Sequence, residues 1–156
     1  MADVLYTVAE PTIIIESDVG TVNIIESILT GPQGAPGSAG NSIVNYPASI
    51  IIGGHRIVIL NDLEKVEYAD STILSHANRI VGMSTGAAVT DANVTIQTYG
   101  EISEPSWNWI LNTPIWLGVN GLMTQTPPTV GFSLIIGFPI SSTKMFINFH
   151  EPIFLN

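Results

Sequence analysis

From Ile50 onward, short apolar runs alternate with polar turn residues along the chain, and no run is long enough for an extended helix. The runs are Ile50–Ile52, Arg56–Leu60, Val66–Tyr68, Arg79–Met83, Val94–Tyr99, Ile115–Val119, Leu122–Gln125, Phe132–Pro139 and Lys144–Phe149. Gly53-Gly54, Asn61-Asp62, Asn120-Gly121 and Pro127-Pro128 punctuate them. β-Branched and aromatic residues bounded by such turns read as strands, and their even spacing predicts a small antiparallel barrel or sandwich. Asn120-Gly121 carries the sharpest local signal. Both residues tolerate positive φ, so a type I′ hairpin is expected between Leu117-Gly118-Val119 and Leu122-Met123-Thr124. The helical pattern is confined to Ser71–Asn78, a turn or two with Asp70 as the expected N-cap.

The first 30 residues have a different pattern. Ile-Ile-Glu-Ser occurs at 14–17 and again at 24–27, with Asp18-Val19-Gly20 between them. Two strands are expected, paired as a hairpin or added to the following domain. An isolated hairpin is marginal in water, so Ile13, Ile14, Ile15, Ile24 and Ile25 are expected to form a docking arm that needs a partner surface.

Between arm and domain, glycine recurs on every third position at Gly31, Gly34, Gly37 and Gly40, with Pro32 and Pro36 in the intervening sites. Only glycine fits at the axis of a collagen triple helix, and that packing is what enforces a strict period of three. A Gly/Pro/Ser linker needs no period. The repeat over residues 31–42 is therefore expected to be a collagen-like neck, spanning about 35 Å at the polyproline II rise. The domains expected are a 1–30 arm, a 31–42 neck and a 43–156 β domain, assembled as a homotrimer.

Composition sharpens this picture. Hydrophobic residues make up 46% of the 156 and charged residues only 11%, well below the roughly 25% usual for globular proteins. A monomer with this balance exposes apolar surface, which points to self-association. Membrane insertion is the rival, but the longest apolar stretch, Val130–Ile140, is broken by Gly131, Ser133, Gly137 and Pro139 and is shorter than the ~20 residues a span needs. Met1-Ala2-Asp3-Val4 has neither the basic nor the apolar region of a secretory signal. The expectation is a soluble chain made in the cytoplasm. The net charge is −9 with only Arg56, Lys65, Arg79 and Lys144 positive, which argues against nucleic-acid binding. Without cysteine there are no disulfides and no thiolate metal site.

A β-branched arm, a collagen-like run and a compact β domain, in that order, resemble bacteriophage tail-fibre and head-fibre proteins. The block His76–Ala87, the phrase Val94-Thr95-Ile96-Gln97-Thr98-Tyr99-Gly100-Glu101-Ile102, then Trp116–Pro128 and Pro152-Ile153-Phe154-Leu155 are similar to small β-barrel domains of phage virion proteins, trimeric capsid-decoration proteins among them. The resemblance covers most of residues 53–156 and the neck. It implies a virion location, a homotrimer, and partners among other capsid or tail proteins. A host surface glycan would be a partner only if the chain were a receptor-binding module.

Candidate chemistry is sparse. Trp107 and Trp109 would share a face on a strand, with Trp116 nearby; such aromatics serve as core, as subunit interface, or as a glycan-stacking platform. His55, His76 and His150 lack metal-ligand spacing. Asp62, Glu64, Glu67 and Asp70, and Glu101 with Glu104, read as solvated acidic loops, or as paired acids of a polysaccharide hydrolase. Ser84 lies in no nucleophile motif. No catalytic residue, cofactor or metal is therefore expected, and three classes remain: structural trimer, glycan-binding module, small hydrolase.

Overall fold

The structure, a computed structural model, describes residues 13–18, 21–26 and 42–156. The chain divides into two compact units, Met1–Gly37 and Ser38–Asn156. In the first, β1 (Ile13–Asp18) and β2 (Thr21–Glu26) pair antiparallel. Ile14 stands opposite Ile25, Ile15 opposite Ile24, and Asp18 opposite Thr21. The two runs expected to form strands thus pair with each other. The neck glycines Gly31, Gly34, Gly37 and Gly40 lie outside the described residues.

The second unit is all-β, a curled antiparallel half-barrel with almost no helix. Its strands are β3 (Ser42–Pro47), β4 (Ile57–Leu60), β5 (Val66–Tyr68), β6 (Ile80–Ser84), β7 (Asn93–Ser103), β8 (Ile115–Leu117), β9 (Met123–Thr124), β10 (Phe132–Ser133), β11 (Ile135–Ser141), β12 (Lys144–Ile147) and β13 (Ile153–Phe154). The main sheet has nine strands in the order β5-β4-β6-β7-β12-β11-β8-β9, with β3 also paired to β7, while β10 and β13 form a separate ribbon.

Side-chain alternation divides the apolar residues between two cores. Ile57 and Ile59 of β4 enter a larger core with Met83, Ile102, Ile115, Leu117, Phe132, Ile136, Met145 and Ile147. Val58, between them, points the other way, into a smaller core with Ala48, Ile52, Val66, Val94 and Ile96. The long strand β7 serves both cores because its register shifts. Ile43 faces Gln97 and Ser42 faces Tyr99, so Thr98 is the extra residue in the register, its hydroxyl donating to Ser42 O at 3.3 Å. One extra residue inverts the alternation. Val94 and Ile96 are thereby sent to the small core and Ile102 to the large one. The buried Gln97 side chain holds the irregular stretch, its Nε2 donating to the carbonyls of Tyr99 (3.2 Å) and Glu101 (2.9 Å).

The last hairpin of the sheet curls back to its first strands. Asn120 and Gly121 have φ of 51° and 69°, and Leu122 N–H donates to Val119 O at 3.0 Å, the I′ turn expected from the sequence. Gly121 N–H donates to Ala69 O (2.5 Å) and Gly121 O accepts from Ile57 N–H (2.9 Å). A Cβ on Gly121 would stand 2.5 Å from Ile57 O, so no side chain fits this contact.

Three expectations need correction. Ile50–Ile52 forms no strand: Ala48, Ser49 and Ile52 donate their N–H groups to Ala92, Val66 and Ala88 respectively, so no continuous ladder develops. A strand occupies Ser42–Pro47 instead, a run not among the expected strands. The helix over Ser71–Asn78 shrinks to one 3-10 turn, Leu74–His76. Asp70 does accept the Thr72 N–H at 2.9 Å, but Ile73 is extended at φ −102°, ψ 101°, so helical backbone starts only after it, at Leu74.

Candidate functional site

The tryptophans expected to share a strand face lie instead in the loop between β7 and β8. Backbone bonds hang this loop on the β11–β12 turn: Glu104 N–H donates to Thr143 O (2.9 Å) and Trp109 N–H to Ser142 O (2.8 Å). Gln125 clamps the far side. Its Oε1 accepts from Ile110 N–H at 2.8 Å, and its Nε2 donates to the carbonyls of Ile110 (2.8 Å) and Thr113 (3.0 Å). A side-chain amide thus stands in for a neighbouring strand.

So held, Trp107 and Trp109 are half-buried against the larger core, their ring centroids 5.4 Å apart and tilted 50°. His55 meets Trp107 edge-on at 5.3 Å, and its Nδ1 lies 3.3 Å from a Glu104 carboxylate oxygen. Hydrogen bonds from Ser106 hold the Glu104 carboxyl below the usual range, aided by the neighbouring His55. The Trp109 Nε1 is buried without an acceptor among the described residues. The loop face is therefore a packed aromatic corner.

Trp116 lies elsewhere. In β8 its neighbours Ile115 and Leu117 enter the core, so Trp116 takes the outer face of the sheet, half-buried and opposite Ile135. The same alternation turns Phe146 outward between the buried Met145 and Ile147. Phe146 stands opposite Phe138 in the β11–β12 pair and meets the Tyr99 ring edge-on at 5.0 Å and 88°. Phe138 in turn touches the His150 ring at 5.6 Å. Tyr99, Phe138 and Ile140 remain 44%, 41% and 47% exposed. An aromatic stripe thus crosses the outside of four strands.

Sequence reasoning missed this stripe except for Trp116. The signal lay in the period-two patterns Lys144-Met145-Phe146-Ile147 and Ile115-Trp116-Leu117, where both phases are apolar. An apolar residue on each side of a strand means that each side meets something, or that one side is left bare.

The acids engage local partners. Asp62 pairs with Arg79, Glu101 with Lys144 at 2.7 Å, and Lys65 with Asp91 at 2.5 Å. Glu101 and Glu104 thus engage different partners, Lys144 and His55. Ser84 is fully buried, its hydroxyl donating to Gly53 O at 2.7 Å and accepting the Arg56 N–H at 3.1 Å. Among the described residues, no three His, Asp or Glu side chains converge as a metal site requires, and no helix is long and apolar enough to cross a membrane. An open depression of about 290 Å³ is lined by Asn78, Leu134, Phe149 and His150 among others, and holds none of the tryptophans.

Asp70 ties the 3-10 turn to the I′ hairpin. Its Oδ1 accepts from the Thr72 N–H (2.9 Å) and hydroxyl (2.6 Å), and its Oδ2 from the Asn120 N–H (3.2 Å). Burial pushes this carboxyl up, but the Thr72 and Asn120 bonds together hold it below the ordinary carboxylate value. A depressed folded-state pKa contributes stability above the unfolded pKa, which is lost as pH falls through the folded one. Between about pH 4 and pH 2, the wild type is expected to lose more stability than Asp70→Asn. Urea midpoints at pH 6 and pH 2.5 measure this, and equal acid losses in the two proteins would contradict it.

Compared with known proteins, the chain matches no family model and no curated protein.

Proposed function

We propose that this chain is a non-enzymatic structural component of a tailed-phage virion, a homotrimeric fibre or decoration protein. The β1–β2 arm docks on a capsid or tail protein, the glycine-repeat neck aligns three copies, and the half-barrel projects from the particle or cements it. One observation carries this reading: glycine on every third position from 31 to 40, between a two-stranded arm and a β domain whose first strand starts at Ser42. A period of three has a physical reason in a triple helix and none in a free linker.

The site geometry supports a structural role over its rivals. A glycan platform needs an aromatic exposed in a groove, whereas Trp107 and Trp109 are packed on the core. A hydrolase needs two convergent carboxylates, whereas Glu101 and Glu104 are bound to Lys144 and His55. The outer aromatic stripe fits a chain that covers apolar surface by association.

Light scattering after size exclusion tests the assembly, with a mass three times that of the chain expected. Gly34→Ala with Gly37→Ala places methyl groups at the crowded axis. The double variant is expected to dissociate at a temperature lower by roughly 2–4 °C or more, the shift that about 1 kcal/mol produces at this size. An unchanged trimer would leave the repeat as an extended linker and remove the collagen-like neck.

A further inference from the structure

We propose that the outer stripe of Tyr99, Phe146, Phe138 and Trp116 is the face by which three copies of this chain meet around a common axis, an inference that rests on the neck reading above. The stripe is apolar and partly exposed, with Phe146 next to Tyr99 and opposite Phe138, and Trp116 on the same outer face opposite Ile135. Phe146 meets the Tyr99 ring at 5.0 Å, and Phe138 meets the ring of His150 at 5.6 Å.

The occupant follows from where the chain enters the domain. Ser42 completes the last glycine triplet and is also the first residue of β3, directly opposite Tyr99. In a triple helix each glycine sits at the axis, and a residue two positions on has advanced only about 6 Å along it. Cross-strand partners lie about 5 Å apart. Three copies of Tyr99 are therefore delivered close to the axis, and each begins a stripe leading over β12 and β11 to β8.

Charge supports the same partner. Each chain carries a net −9, so copies approach one another most readily where local charge cancels. Glu101 and Lys144, the ionised groups beside Tyr99 and Phe146 on the same strands, pair at 2.7 Å.

The lack of cysteine makes single cysteines unique reporters. Tyr99→Cys and Phe138→Cys, each made separately in the full chain, are expected to give disulfide-linked dimers under mild oxidation. Thr90→Cys, exposed in the loop that precedes β7, is expected to stay monomeric on the same non-reducing gel. Phe138→Lys is expected to weaken association at least tenfold on dilution. A wild-type monomer would overturn the neck reading and this face together. A wild-type trimer in which neither stripe cysteine cross-links would keep the neck and overturn the face. The cross-linking result stands whether or not Phe138→Lys folds.

Discussion

Gly131→Ala is expected to destabilise the half-barrel by roughly 3–5 kcal/mol, combining a left-handed backbone penalty with lost hydrogen bonds. Gly131 has φ +76°, and an added Cβ would stand 2.1 Å from Ser71 O and 2.8 Å from Thr72 Cα. Both are main-chain atoms, so no side-chain rotation relieves the overlap. Ser71 O accepts from Phe132 N–H at 2.9 Å, and Ser71 N–H donates to Gly118 O at 3.0 Å. Moving Ser71 aside breaks the link between the 3-10 turn, the last hairpin and β10. Gly86→Ala is the control: nothing lies within 4 Å of its added Cβ, and a change of no more than about 0.5 kcal/mol is expected. Urea midpoints of the two variants decide the matter, and equal shifts would mean that the close approach at Gly131 relaxes freely.

The elements legible in the sequence are those set by local chemistry. Asn120-Gly121 demanded its turn because both positions needed positive φ, and the structure gives both. The Ile-Ile-Glu-Ser repeats were legible as strands through their β-branched content. What escaped depends on partners distant in sequence. Ser42–Pro47 lies next to a glycine repeat and carries Asn45 and Pro47; it becomes a strand because β7 offers it an edge. Ile50–Ile52 has ideal strand composition, yet the groups that satisfy its neighbourhood sit in two separate segments, β5 and the loop between β6 and β7. The inversion within β7 was also hidden, since Val94-Thr95-Ile96-Gln97 reads as a plain alternating strand until Thr98 falls outside the register.

The site was legible only in fragments. Three tryptophans within ten residues drew attention as a cluster, but Trp107 and Trp109 pack on the core while Trp116 lies on the opposite side of the sheet wall. Gln125 stood in a phrase that resembles virion domains, with no sign of its role as the clamp of the tryptophan loop. The stripe required knowing which phase of β11 and β12 faces inward. Where both phases are apolar, the sequence carries no sign of direction, and only the closed core shows which side is left over.

Phe132 and Phe138 make that distinction measurable. Phe132 is fully buried in the larger core, whereas Phe138 is 41% exposed on the stripe. Phe132→Ala removes a ring from a site whose neighbours, including Leu134 and Ile136, are themselves fully buried, so collapse into the space is limited. A loss of about 3–5 kcal/mol is expected, with the dependence of stability on urea unchanged. That is a large part of the roughly 6–17 kcal/mol that a domain of this length carries. Phe138→Ala is expected to leave the fold of each copy nearly unaltered and to act on association, because the surface it trims belongs to the outer face. Urea unfolding followed by tryptophan fluorescence, run beside the mass in solution at several dilutions, separates the two effects. If Phe138→Ala unfolds the chain as readily as Phe132→Ala, the outer stripe is part of the core. If it shifts only the dilution at which the assembly separates, the stripe is where copies of the chain meet.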